Sequence, residues 1–398
     1  VASVWKSTPF SLHSAPISAT GLIVPISLLA NMIDTSAKMG FGHVTLEPPG
    51  YNDSPSLDKR LGNAPALRDK VLKVKNVRDA IVRITGQAMF ASASKSIGGV
   101  FFAINPEKES PEWNVFIGSM VEGGLFETSR GNGIVIGSKM AEKLNLKLGK
   151  KIIYTTTDVS GEIVSQMARV KGIFTTGVAE VDGYMVLLPI DSVRALLGYT
   201  SSEATMVSIF INDQRRSEEV RDAVRKVIDD SKTAALTWSE TQPDMAGYIT
   251  IDKGFNYLFQ FLVGLMIAAG ILNTMLMSVL ERTREFGIMM AIGMPPGRLF
   301  RLVIVESFYI GIVGLVAGVA ITIPVYHYFA TVGINLGGYI EDGADISGVL
   351  LDPVLKMRFY RESAEMILFI VFALTIAAGL YPAYRAGRVP PVESLKTI

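Results

Sequence analysis

The 398-residue chain predicts a multi-pass α-helical membrane protein with four transmembrane helices and a large α+β domain outside the cytoplasm, inserted between helices 1 and 2. Three observations predict it. Charge is segregated: residues 38–253 hold 53 of the 75 Asp, Glu, Lys and Arg residues, residues 254–398 hold 20, and residues 1–37 hold only Lys6 and Asp34. The middle segment is therefore charged to about the degree of a soluble domain, and its flanks are not. Next, long runs almost free of charge follow residue 253, and each reaches the roughly 20 residues that a helix needs to cross the hydrocarbon core. Finally, residues 38–253 break into short alternating segments between turn signals.

Taken in order, residues 14–33 form a charge-free run interrupted by Pro16, Pro25 and Asn31. A signal peptide or an unstructured tail competes with a membrane span here, and length favours the span as the first helix. In the middle segment, residues 43–47, 80–90 and 99–104 read as strands and 66–74 as a short helix. Residues 206–211 and 234–238 read as two further strands around an amphipathic helix at 217–228. These halves pair as a layer of helices on a sheet, split by a mostly β insertion at about 114–200. The second span is the 27-residue uncharged run GFNYLFQFLVGLMIAAGILNTMLMSVL. A third covers about residues 299–330, and a fourth is MILFIVFALTIAAGLYPAY, with Tyr381 and Tyr384 placed as an interfacial belt. The turn between spans two and three carries Arg282, Arg284, Arg298 and Arg301, and the tail carries Arg385, Arg388 and Lys396. Both therefore lie in the cytoplasm, and the 38–253 domain lies on the opposite side.

Composition excludes several functions. A net charge of +1 gives no field that would draw nucleic acid, and zero cysteines leave no disulfide, thiolate metal site or thiol nucleophile. The chain has no GxxxxGK[ST] loop, GxSxG elbow or HExxH helix. His13, His43 and His327 lie far apart, and Glu341, Asp342 and Asp345 read as a solvated turn, lacking the spaced ligands of a calcium loop. Within the spans, Gln260, Asn273 and Glu306 read as interhelical hydrogen-bonding residues, and Gly311, Gly314 and Gly318 as close-packing positions.

The informative segment is ERTREFGIMMAIGMPPGRLFRLVIVES, residues 281–307. Charges cluster at 281–285, and then Phe286, Met289, Met290 and Ile292 recur at helical spacing, which gives a short amphipathic helix. Pro295, Pro296 and Gly297 stop it and return the chain to the bilayer. Such a helix, joined rigidly to two spans, lies on the membrane or docks in a partner's groove.

This segment, the closing run YPAYRAGRVPPVESLK and the opening GHVTLEPPGY resemble the MacB/FtsX class of ABC-transporter permeases, as does the order of one span, a large external domain and three spans. Within that class the GHV opening and PSLDKRL look closest to the lipoprotein-release type. Residues 1–37 depart from the pattern, being broken by proline and nearly uncharged. The resemblance implies a bacterial inner-membrane protein whose periplasmic domain is a ferredoxin-like porter part with an inserted small β part. It implies a coupling helix over 281–294, with Glu281, Arg282, Thr283, Arg284, Glu285, Phe286, Gly287, Met290 and Gly293 engaging a cytoplasmic ABC ATPase. No cofactor is expected in this chain, and ATP and Mg would bind the partner ATPase. A second permease copy or paralogue would complete a dimer, with membrane lipids and a periplasmic lipoprotein or adaptor as further partners. The implied activity is release or export of a lipidated substrate. The alternatives are efflux with a periplasmic adaptor, or signalling to a cell-wall hydrolase.

Overall fold

A computed structural model describes residues 29–228, 231–335, 345–346, 349–350, 354–355 and 361–388. These fall into two compact units, one containing residues 29–250 and the other residues 251–334 and 361–388.

The first unit has one sheet made of β1 (Val44–Glu47), β2 (Val77–Ala91), β3 (Ser96–Ile104), β4 (Met120–Gly123), β5 (Gly133–Gly137), β6 (Lys151–Thr157), β7 (Ile163–Phe174), β8 (Met185–Pro189), β9 (Met206–Ile211) and β10 (Ala234–Thr237). Its helices are α1 (Ala64–Val71), α2 (Val115–Gly118), α3 (Ser138–Leu144), α4 (Ala179–Tyr184), α5 (Ile190–Leu197), α6 (Ser217–Ile228) and α7 (Trp238–Thr241). Strands β10, β1, β9 and the first half of β2 run antiparallel in that spatial order. With α1 following β1 and α6 following β9, this is a ferredoxin-like βαββαβ layer split between its second and third strands. Its helices form where the sequence supplies the signals. Asn63 caps α1 by accepting from the Ala66 amide at 3.2 Å, with Pro65 in the first turn. Along α6, Val220, Val224 and Ile228 recur every four residues and are buried.

β2 is 15 residues long and serves two structures. Residues 77–83 pair with β9, whereas residues 84–91 pair with β3 and residues 89–91 also pair with β6. From β3 the pairing passes through β8, β5, β7 and β6 back to β2, which closes a six-stranded barrel. Phe90, Phe101, Ile136, Tyr154 and Val170 fill it. Closure leaves these barrel strands no free edge. The β-rich region thus takes in β3 and half of β2 as well as residues 114–200.

Arg83 sits where the chain changes partners, and both it and Glu109 have fully buried side chains. Its guanidinium donates to Glu109 from Nε and Nη2 at 2.6 and 2.8 Å, to the Gly40 carbonyl at 2.7 Å, to the Trp113 carbonyl at 3.1 Å and to Ser208 Oγ at 3.4 Å. All five N–H groups are therefore used. Gly40 has a φ of 137°, and a side chain there would overlap the Phe102 ring.

The helical segment at 29–36 also belongs to this unit. Leu29, Met32 and Ile33 are buried with Trp238, Met245 and Ile249, and Ser36 Oγ donates to Gln242 Oε1 at 2.5 Å. Of the first span expected at 14–33, residues 14–28 lie outside the described residues, and 29–33 pack in the core of the external unit. Aspartate 34 meets His43 Nε2 at 2.9 Å, so this histidine is a structural partner at the start of β1.

Glu47, at the end of β1, is 3% exposed. Burial pushes its carboxyl up from 4.5 to about 7, against the Asn52 amide that donates to it. Between those pH values the folded domain holds a proton that the unfolded chain releases. The contribution of Glu47 is thus fullest below pH 4.5 and is lost as pH rises through 7, by at most about 3 kcal/mol. Glu47→Gln is expected to flatten this dependence. Unchanged slopes of Tm between pH 5 and 8 for the two proteins would overturn the assignment.

In the second unit, α8 (Pro243–Glu281), which begins in the first unit, is followed by α9 (Thr283–Ala291), α10 (Pro296–Thr331) and α11 (Arg361–Ala386). Among the described residues three helices, α8, α10 and α11, are long and apolar enough to cross a membrane, where four were expected. Two glycines mark close approaches of α10 and α11. A side chain at Gly379 would overlap Ser307, and one at Gly311 would meet Phe372 at 3.2 Å. Gly314 and Gly318 have nothing within 4 Å of a modest side chain, so close packing is confined to the first of the three glycines. Glu341 and Asp342 lie outside the described residues.

Candidate coupling site

The segment expected to couple the permease to a partner folds as α9, set between two sharp breaks. At the first, Arg282 leaves helical geometry with φ −95° and ψ 10°, and Thr283 Oγ1 donates to the Leu280 carbonyl at 2.7 Å. At the second, Gly293 has a φ of 102°, which side chains disfavour. Its amide donates to the Met290 carbonyl and the Met294 amide to the Met289 carbonyl, each at 3.0 Å. Those two bonds make a Schellman motif, and Pro296 then opens α10 at a position where no amide is needed. The stop signal is therefore Gly293, and Gly297 is already inside α10.

Phe286 is 1% exposed and packs with Val279, Leu299, Val303, Ala383 and Ala386, with Met289 and Met290 at the margin. Gly287 is buried beside it. This cluster joins α9 to α8, α10 and α11, and Phe286 and Gly287 present no surface to a partner. Of the nine expected coupling residues, Glu281, Arg284, Glu285 and Gly293 are exposed, Arg282, Thr283 and Met290 are half-buried, and Phe286 and Gly287 are inside.

The apolar surface lies elsewhere. Ile292, read above as part of one apolar face with Phe286, Met289 and Met290, is 81% exposed, and Ile288 is 43% exposed. With Arg284 they fall four residues apart on one side of α9, and Ala291 is exposed beside them. That i, i+4 spacing was present in the sequence.

Arg282, in the break before α9, reaches both α9 and α10. Nε donates to Glu285 Oε2 at 3.1 Å, and Nη1 donates to both Glu306 carboxylate oxygens at 3.1 and 3.2 Å. The guanidinium carbon lies 5.6 Å from the centre of the Phe286 ring. Glu306, one of three polar span residues singled out above, is thus satisfied by this arginine. Among the described residues no group of three or more His, Asp or Glu side chains could hold a metal ion.

A domain with a split ferredoxin-like layer, three helices long and apolar enough to cross a membrane and a short helix between two of them make up the architecture of a multi-pass membrane protein with a large inserted domain. The chain belongs to the family of ABC-transporter permeases of the MacB/FtsX/LolC type: residues 23–227 match the MacB-like periplasmic core domain and residues 257–391 the FtsX-like permease C-terminal region. It is 25% identical over 376 residues to an uncharacterized ABC transporter permease of Methanocaldococcus jannaschii, covering 90% of this chain and 85% of that one. It is 22% identical over 336 residues to the lipoprotein-releasing system transmembrane protein LolC of Neisseria meningitidis, covering 81% and 79%. The LolC of Haemophilus influenzae is 23% identical over 350 residues, covering 86% and 81%.

Proposed function

We propose that this permease couples ATP hydrolysis by a separate cytoplasmic ATPase to movement of its external domain, and that this movement releases a lipoprotein or other lipidated substrate from the inner membrane. The observation that carries the coupling is the exposed pair Ile288 and Ile292 on a helix whose opposite face is fixed to three spans. An isoleucine four-fifths exposed beside a fixed backbone is the knob that a groove in a partner would cover. Glu281, Arg284 and Glu285 form its polar rim, where charge sets register more than affinity. ATP and Mg belong to that partner, and two permease chains, identical or paralogous, would present two such helices. The likeness to LolC proteins over about four-fifths of the chain supports the lipidated substrate.

The test combines binding and release. Ile288→Asp/Ile292→Asp is expected to leave the permease folded and to weaken its hold on the ATPase about 100-fold, as for loss of an interface hot spot. Wild-type co-purification of the ATPase would sink the coupling role. In vesicles carrying the complex, ATP is expected to drive release of a lipoprotein to the medium. Unchanged lipoprotein retention with and without ATP would remove that substrate and leave efflux or hydrolase control.

A further inference from the structure

Arg282 occupies the one residue between α8 and α9. A helix joined to its neighbour through a single non-helical residue can swing about that residue, and a push on it is then absorbed by rotation. The Phe286 cluster seats the helix on the spans, and at the joint itself the arginine's own side chain opposes the swing. Its guanidinium ties the break to α9 through Glu285, to α10 through both oxygens of Glu306, and rests on Phe286. Three elements thus meet on one planar group.

Position makes the contact with Glu306 unusual. Glu306 lies ten residues into α10, about 15 Å along its axis, and is the last charged residue before an uncharged stretch that runs to the helix's end at Thr331. An acid at that depth is retained where it has a partner. An exposed ion pair in water contributes little, whereas one at the margin of the hydrocarbon is screened less and is held more firmly. The residue after Glu306 is Ser307, which packs against Gly379, so the anchor adjoins the point where α10 seats on α11. Lysine could not reproduce the arrangement, because it has no fork to serve Glu285 and Glu306 together.

We infer that Arg282 is a positioning residue, a strut that locks the short helix to α10 through Glu306, so that a push on Ile288 and Ile292 moves α10 and α11 together instead of turning α9 about its joint. The inference rests on the coupling role proposed above for α9. It gives Arg282 a different part in it: Arg282 makes the contact inside the permease and leaves contact with the ATPase to Ile288 and Ile292.

The absence of cysteine from the chain allows a direct test. Spin labels at Ile288→Cys and Ile310→Cys in full-length permease in lipid nanodiscs report the distance between α9 and α10. Arg282→Gln and Glu306→Gln are each expected to broaden that distribution about twofold, and Arg282→Lys to give an intermediate width. In the complex, both Gln variants are expected to keep the ATPase bound while ATP-driven release falls about tenfold, within the usual range of a coupling effect. The exchange Arg282→Glu/Glu306→Arg, made with Glu285→Gln to avoid a new like-charge contact, is expected to restore the narrow distribution and the release seen with Glu285→Gln alone. Narrow distributions in the Gln variants overturn the strut, as does failure of the exchange to restore them. Loss of ATPase binding in Arg282→Gln would make Arg282 a partner contact and also overturns it. Should wild-type permease bind no ATPase, the coupling proposal fails and the label distances still decide the strut.

Discussion

Arg83→Met is expected to destabilise the external domain by about 3–5 kcal/mol, the range for removing one partner of a buried ion pair. That is a large part of the 5–15 kcal/mol or so that holds an ordinary domain together. The reason is what the substitution leaves behind. Glu109 remains fully buried without its bidentate donor, and the carbonyls of Gly40 and Trp113 lose an N–H each. The pair itself is not the source of stability, since removing both charges from a core is often neutral or favourable. Arg83→Met/Glu109→Leu should therefore recover much of the loss. Trp113, whose carbonyl accepts from Arg83, lies in this cluster and provides the signal for urea unfolding of the solubilised protein. A shift below about 1 kcal/mol for Arg83→Met would show that water or a moving backbone compensates the charge. Full recovery in the double variant, with function lost, would assign the pair to specifying the path of the chain through Gly40.

This cluster also marks what the sequence could not disclose. In β2 the alternation of apolar and polar residues makes Arg83 look like an outward-facing residue, and its partner lies 26 positions on, in a loop notable only for proline and charge. Alternation reports that a strand has two faces and cannot report that both are covered. The strands and helices of the ferredoxin-like layer were legible because each buries a single face. Closure of the barrel was not, because it depends on residues 89–91 meeting β6 more than sixty positions later, a pairing set by the bend of β2 and absent from any local pattern. The spans α8, α10 and α11 were legible for a different reason, since bilayer thickness fixes the length of a charge-free run. Residues 29–33, the end of the charge-free run at 14–33, are buried in the external domain, so the length of such a run does not fix where a span ends. In α9 the apolar period held for Phe286, Met289 and Met290, and Ile292 departed from it. The charges of the segment stop at Glu285, so beyond it Ile288 and Ile292 are as apolar as Phe286, Met289 and Met290, and spacing alone cannot say which of them pack inward.

The same two-sidedness lets the packed face be tested apart from the exposed one. Phe286→Ala removes the largest fully buried side chain from the cluster that joins α9 to α8, α10 and α11, and its buried neighbours Val279, Leu299, Val303, Ala383 and Ala386 each sit on a helix other than α9. None of these five can collapse into the space without moving its helix, and only the methionines at the margin can shift toward it, so the loss should fall within the roughly 3–5 kcal/mol range for a buried phenylalanine. The ring is also the surface on which the Arg282 guanidinium rests, so its removal takes support from Arg282 as well. The expected result is an α9 detached from its seat, with amide hydrogen exchange over residues 283–291 at least tenfold faster while α10 and α11 exchange as before. Ile292→Asp, at an exposed position, should leave exchange unchanged. If Phe286→Ala exchanged like the native protein, Phe286 would not be the seat, and the link between α9 and the spans would fall to its two termini, Arg282 and the Gly293 turn.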